Sequence, residues 1–157
     1  MEIDERYMQE ALSLAEEAGQ DMETPIGCVI VHEGKIIGRG RNRRNRAGNA
    51  LAHAEIEAIN EACLAMGDWR LEQCTMYVTL EPCPMCAGAI VQARLPKVVM
   101  GAMNPKAGCC GSILDMLHEE RFNHQVETLS GCMEEESRHL LQSFFAGLRQ
   151  KAKSGKS

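Results

Sequence analysis

A three-layer α/β/α domain with a mixed central sheet of about five strands is the fold class this sequence predicts. Three observations carry that reading: an amphipathic helix opens the chain, a β-hairpin follows it, and strands then alternate with helices to the C-terminus. With 157 residues, 45% of them apolar and 25% charged, the chain reads as a single domain, 1–157, large enough to bury a core.

Each element has its own signal. Tyr7, Met8, Ala11, Leu12, Leu14 and Ala15 recur at helical spacing, with Gly19 placed to end that helix. Ile26 to Val31 reads as a strand, His32-Glu33-Gly34-Lys35 as a turn, and Ile36 to Gly40 as the returning strand. Asn42 to Leu51 is polar, basic and irregular. A helix is expected over 52–66, with an apolar stripe of Ile56, Ile59 and Cys63. Thr75 to Leu80 is a strand, Cys83 to Ala93 a helix rich in small residues, and Lys97 to Met100 a further strand. A loop over 102–111 leads to a short helix over 113–117 and a fifth strand over 125–129. An amphipathic helix over 134–150 carries Leu140, Leu141, Phe144, Phe145 and Leu148, and 151–157 reads as a basic, frayed tail.

Composition narrows the function. No apolar run approaches the ~20 residues needed to span a bilayer. The acidic N-terminus lacks the apolar core of a signal peptide, so the cytoplasm is the expected location. Eight cysteines in such a chain read as thiols rather than a disulfide framework. Cys28, Cys63, Cys74 and Cys132 are expected in the core, while Cys109 and Cys110 sit in a Gly-rich segment near the candidate site. A net charge of −5 argues against broad, nonspecific nucleic-acid binding. Two basic clusters run against that total: Arg41, Arg43, Arg44 and Arg46, and then Arg149, Lys151, Lys153 and Lys156. Each alone reads as a solvated face; together, one of them beside a catalytic motif, they suggest a phosphate-contacting surface.

The decisive feature is His53-Ala54-Glu55 followed by Pro82-Cys83-Pro84-Met85-Cys86. His53, Cys83 and Cys86 supply three ligands for a tetrahedral Zn²⁺, one per subunit, and leave a fourth position open, the pattern of a catalytic rather than a structural zinc. Cys83 and Cys86 fall in the first turn of one expected helix and His53 in the first turn of another, where partial positive charge and unsatisfied N–H groups favour thiolates. Glu55 stands close enough to the metal to handle protons as a general acid/base. A redox C-x-x-C would need neither His53 nor Glu55, and a zinc ribbon would need a second C-x-x-C, which the adjacent Cys109-Cys110 cannot supply.

With these residues in hand, the chain resembles the cytidine/deoxycytidylate deaminase superfamily, and within it the bacterial tRNA-specific adenosine deaminases. The resemblance spans nearly the whole chain: Thr24-Pro25-Ile26-Gly27, Ala52 to Glu55, Tyr77 to Gly88, Pro105-Lys106-Ala107-Gly108, Phe122-Asn123-His124 and the Phe144-Phe145 helix. It implies hydrolytic deamination of adenosine to inosine at the wobble position of a tRNA, an arginine tRNA, by a homodimer that binds the anticodon stem-loop across both subunits. It also implies that Asn42 contacts the flipped base, that Ala54 and Glu55 help hold it, and that Asn104, Lys106, Phe144 and Arg149 contact the RNA. Of Phe144 and Phe145 at least one is expected in the core, since adjacent aromatics on an apolar helix usually pack inward. His124 is read equally as a phosphate contact or a structural residue. Two departures from the family pattern stand out. Asn104 replaces a common Asp, which would relax the substrate range if that Asp meets ribose. Ala50-Leu51 stands where some members carry Pro-Thr, which bears on loop shape. The competing readings are a small-molecule deaminase of the same superfamily, acting on guanine, cytosine or cytidine, and a binding module that zinc merely braces.

Overall fold

The computed structural model describes residues 2–154. Strands β1 (Gly27–His32) and β2 (Lys35–Arg41) form an antiparallel hairpin. Its turn residues Glu33 and Gly34 have φ of 49° and 76°, the pair of left-handed residues a two-residue type I′ connection requires. β1 also pairs antiparallel with β3 (Cys74–Leu80), and β3, β4 (Lys97–Ala102) and β5 (Glu127–Leu129) run parallel. The resulting mixed sheet has the order β2-β1-β3-β4-β5.

Alternation along the strands builds two cores. Val29, Val31, Tyr77 and Val99 face α1 (Ile3–Gln20) and the first turns of α5 (Glu134–Ser154). Cys28, Ile30, Met76, Val78, Val98 and Met100 face α3 (Ala54–Met66) and α4 (Pro84–Gln92). Five strands between two pairs of helices form the α/β/α sandwich, with a fifth helix, the short α2 (Arg44–Ala47), in the loop after β2.

The structure departs from the expectations in instructive places. Gly19 does not end α1, which runs to Gln20; the chain turns away at Met22, whose φ is 64°. The stretch 42–51 is not wholly irregular, since α2 lies inside it. The helix expected over 113–117 is replaced by one 3-10 turn, Met116–His118. The N–H groups of Gly111 and Ile113 are already used by the carbonyls of Leu114 and Gly108 in a tight loop, closed by a Cys110–Asp115 bridge. β5 is shorter than expected because the Val126 N–H is spent on the Leu117 carbonyl rather than on β4. α5 extends to Ser154, so Lys151 and Lys153 are helical, while Lys156 and the end of the expected frayed tail lie outside the described residues.

The largest correction concerns α3. Ile56, Ile59 and Cys63 are only half-buried; the buried face is Ala54, Glu55, Ala58 and Ala62. β2 explains why. A Cβ at Gly40 would stand 2.0 Å from the Ala54 carbonyl oxygen, and one at Gly38 would stand 2.3 Å from that of Ala58. The helix lies on bare strand backbone, and only alanine-sized side chains fit between them. Among the cysteines, Cys28 and Cys74 are buried as expected, but Cys63 and Cys132 are only partly so; Cys109 and Cys110 are buried. All eight are unpaired thiols. No described helix is long and apolar enough to cross a membrane.

Gly40→Ala is therefore expected to push α3 off the sheet and to cost about 2–4 kcal/mol. Urea unfolding of the variant beside the parent checks this; a loss below about 1 kcal/mol would mean that α3 is free to shift.

Candidate active site

Two helices begin side by side at this site. His53 is the N-cap residue of α3, with extended backbone (φ −88°, ψ 153°), and Glu55 is the second residue of that helix. Cys83 is the N-cap of α4, Pro84 opens its first turn and Cys86 follows in the same turn. Proline suits that position because its missing N–H has no helical partner to lose. Neither N-cap side chain is spent on capping, so the imidazole and the thiol are both available to the site.

His53 Nδ1 lies 3.6 Å from Cys83 Sγ and 3.6 Å from Cys86 Sγ. All three ligand atoms fall within 4.8 Å of one another. A tetrahedral zinc with the usual Zn–S and Zn–N bond lengths places its nitrogen and sulfur ligands about 3.6 Å apart. The donor set therefore fits Zn²⁺ in both chemistry and spacing. Electrostatics agree. A hydrogen bond from the Cys86 thiol, aided by His53 and first-turn N–H groups, pulls Cys83 down to about 5. Donating that hydrogen bond and being buried push Cys86 up. Without a cation the two sulfurs thus keep one proton between them; a divalent ion would replace it.

Glu55 is 4% exposed. Burial pushes its carboxyl up to about 7, close to where a group that both takes and gives protons at neutral pH works best. It lines a cavity of about 860 Å³ together with His53, Cys83 and Ala54.

Of the other expected site residues, Asn42, Asn104, Lys106 and Arg149 line the same cavity. Asn42 is buried; its amide donates to the Thr24 carbonyl at 3.4 Å and its oxygen accepts from Arg44 N at 3.2 Å. Asn104 Oδ1 accepts from Lys106 N at 3.3 Å. Cys86 is buried behind Cys83, and Phe144 does not line the cavity. Phe145 does, at 42% exposure, and Phe144 is only half-buried, so neither ring is in the core. The two rings pack edge-on, 5.5 Å apart. Leu141, Phe145 and Leu148 form the apolar wall there. His124 Nε2 lies 2.7 Å from the Leu95 carbonyl oxygen, away from the cavity, so in this fold its contact is structural.

The basic cluster divides in a way sequence alone does not reveal. Arg41 pairs with Glu17 and Asp21, Arg46 with Asp21, and Arg43 with Glu57. Arg44, Lys106 and Arg149 form no ion pair among the described residues, and these are the three cations that line the cavity.

Sequence reasoning assigned no role to Glu81, although it adjoins the Pro82-Cys83 motif. It is 2% exposed and lines the cavity wall. Its carboxylate accepts from the N–H groups of Asn104 (2.8 Å), Cys110 (3.0 Å) and Ser112 (2.9 Å) and from the Ser112 hydroxyl. Gly108 passes so close that a Cβ there would meet the carboxylate at 2.2 Å. One side chain thus ties down the whole 104–112 loop. Burial raises the Glu81 carboxyl, but the four hydrogen bonds outweigh it and hold the group below its usual range.

The sandwich with paired helix N-termini beside a buried carboxylate defines the class: an enzyme of the cytidine-deaminase-like fold. The MafB19-like deaminase family matches residues 2–149, and the chain belongs to it. A tRNA-specific adenosine deaminase of Bacillus subtilis (strain 168) is 53% identical over 156 residues, 99% of this chain and 97% of the relative. A solved structure from work on A-to-I editing by tRNA:A34 deaminases at the wobble position superposes with a TM-score of 0.83 at 41% identity, covering 87% of this chain and 99% of its own. A guanine deaminase from Bacillus subtilis aligns over 66% of each chain at 39% identity with a TM-score of 0.62.

The depressed Glu81 carboxyl contributes stability that is present above the ordinary carboxylate range and is lost as pH falls through its folded value. Glu81→Gln is expected to cost about 2–4 kcal/mol at neutral pH, because it leaves buried donors facing an amide. The gap to the parent should narrow as pH is taken from neutral to below the ordinary carboxylate range, where the parent carboxylate begins to protonate too. Urea unfolding of both proteins with a chelator present, at the two pH values, measures it; a gap that is constant with pH would refute the charge-based account.

Proposed function

We propose that the chain is a zinc-dependent tRNA adenosine deaminase that converts the wobble adenosine of an anticodon loop to inosine, with an arginine tRNA as substrate. One observation carries the choice of RNA over a free base. The three cations at the cavity, Arg44, Lys106 and Arg149, have no carboxylate partner among the described residues, and a free base would bring no phosphates to meet them. The apolar wall of Leu141, Phe145 and Leu148 offers bases a surface to stack on. The relatives named as tRNA-specific adenosine deaminases support the same reading. A loop is also the least costly place from which to extract a base.

In this reading His53, Cys83 and Cys86 hold the ion, which supplies Lewis-acid polarisation of the attacking water when bound. Glu55 takes the two protons of that water in turn, passing the first to the ring nitrogen and the second to the amine, which departs as ammonia. Water's oxygen thereby replaces the amine at C6. The carboxyl's burial suits it to both halves of the transfer. Asn42 keeps part of its amide capacity for a base edge, since its two contacts use one N–H and one lone pair. Ala54, the first residue of α3, offers a backbone N–H with no carbonyl partner inside the helix. Asn104 sits beside Lys106 and is placed to face the ribose.

The homodimer belongs to the same proposal. The half-exposed face formed by Ile56, Ile59 and Cys63 of α3 with Met85, Gly88 and Ala89 of α4 is apolar and small-featured, suited to close packing against a second copy. The guanine deaminase similarity keeps a small-molecule substrate as the second reading.

Nuclease digestion and mass analysis of an anticodon stem-loop incubated with the protein should show a gain of about 1 Da at the wobble nucleoside. Faster ammonia release from free guanine than from the RNA would favour the second reading instead. Glu55→Ala should retain one zinc per chain by metal analysis yet lose at least about 10³-fold in turnover; unchanged turnover would remove Glu55 from its role. Ala89→Arg should shift sedimentation from dimer to monomer at micromolar concentration, and a parent that is already monomeric would sink the dimer face.

A further inference from the structure

Glu23 is a buried carboxylate that the deamination chemistry does not use. It is 1% exposed, lies in the turn after α1 and does not line the cavity. Its two oxygens are divided between two backbone donors on another segment, Asn45 N at 3.1 Å and Arg46 N at 2.7 Å. The turn is itself fixed, since Glu23 N donates to the Ala18 carbonyl at 2.9 Å. Neighbouring contacts join the same two segments: Asn42 Nδ2 to Thr24 O, Asn42 N to Ile26 O, and the Asp21 carboxylate to Arg46. Between Asn42 and Asn45 stands Arg44, exposed, without an ion pair among the described residues and facing the cavity, its own N–H held by Asn42 Oδ1.

We propose that Glu23 is a positioning residue for RNA recognition: it clamps the 42–46 loop so that Arg44 and Asn42 are presented to the substrate in one geometry. The inference rests on the RNA reading above. The two N–H groups belong to the first turn of α2, so charge-assisted bonds to them offset the desolvation of the Glu23 carboxylate. What it secures is a fixed origin for a long cationic side chain beside the reaction centre. A loosened loop would still let Arg44 reach a phosphate, but the ordering would have to be supplied at each binding event. Glu23 therefore acts on KM through Arg44 and leaves the chemistry at Glu55 intact.

The test is steady-state kinetics of the zinc-loaded protein on an anticodon stem-loop with adenosine at the wobble position. Glu23→Gln, Arg44→Ala and the double variant are compared with the parent. Glu23→Gln is expected to raise KM about 10-fold at unchanged kcat, and to add less than about 2-fold once Arg44 is already alanine. Amide exchange at Asn45 and Arg46 should accelerate in Glu23→Gln while β1 amides stay protected. If Glu23→Gln fails to fold, Glu23→Asp takes its place and is expected to give a smaller rise in KM with the same dependence on Arg44. Multiplying losses in the double variant, or a fall confined to kcat, would overturn the clamp while leaving the RNA reading in place. A parent with no activity on the stem-loop would overturn the RNA reading, and the inference with it.

Discussion

The close approach of α3 to the sheet is the constraint on which the site depends. Gly38 and Gly40 leave the face of β2 bare, and Ala54 and Ala58 settle directly on it. That contact fixes where α3 begins. Its first residues must then stand beside the first residues of α4, which β3 delivers at its C-terminal end. Only with both helix starts in register do His53, Cys83 and Cys86 come within ligand distance of one another. The candidate metal-ligating group is thus assembled by glycines some distance away, through the helices that start at it.

Three buried carboxylates then do three different jobs, separated by what each one accepts. Glu55 has little to stabilise its charge, so it sits near neutrality and can exchange protons. Glu81 receives four hydrogen bonds and stays ionised, which makes it a structural anchor for the far wall of the cavity. Glu23 holds the near wall. Glu55 lies among the candidate ligands, while Glu81 and Glu23 hold the loops on either side of it.

Much of this was legible in the sequence, for identifiable reasons. The hairpin turn and the short apolar runs of β1 and β3, which the sheet buries on both faces, pointed to the strands. The H-x-E and P-C-x-x-C motifs pointed to the residues that now cluster, because ligand chemistry tolerates few substitutes. The face of α3 was misread, because hydrophobicity marks large side chains and says nothing of where a helix must touch bare backbone. Phe145 rather than Phe144 lines the cavity, and helical periodicity alone does not decide which of two adjacent rings on α5 does so. Glu81 and Glu23 were missed because nothing about an isolated acid reveals that it will be surrounded by N–H groups brought in from elsewhere in the chain. The guanidiniums of the 41–46 stretch looked equivalent until their partners on α1 and α3 were placed.

Those partners have a wider consequence. Glu17, Asp21 and Glu57 decide how much positive potential reaches the mouth of the cavity, as much as the arginines themselves do. A lineage that lost Asp21 would unmask Arg46 outright and leave Arg41 held by Glu17 alone. Its enzyme would grip polyanions of every sequence more firmly, surrender finished product more slowly, and become more sensitive to the ionic strength of its surroundings. Acidic residues remote from the chemistry thus act as a brake on stickiness, and drift at those positions would change turnover before it changed the reaction.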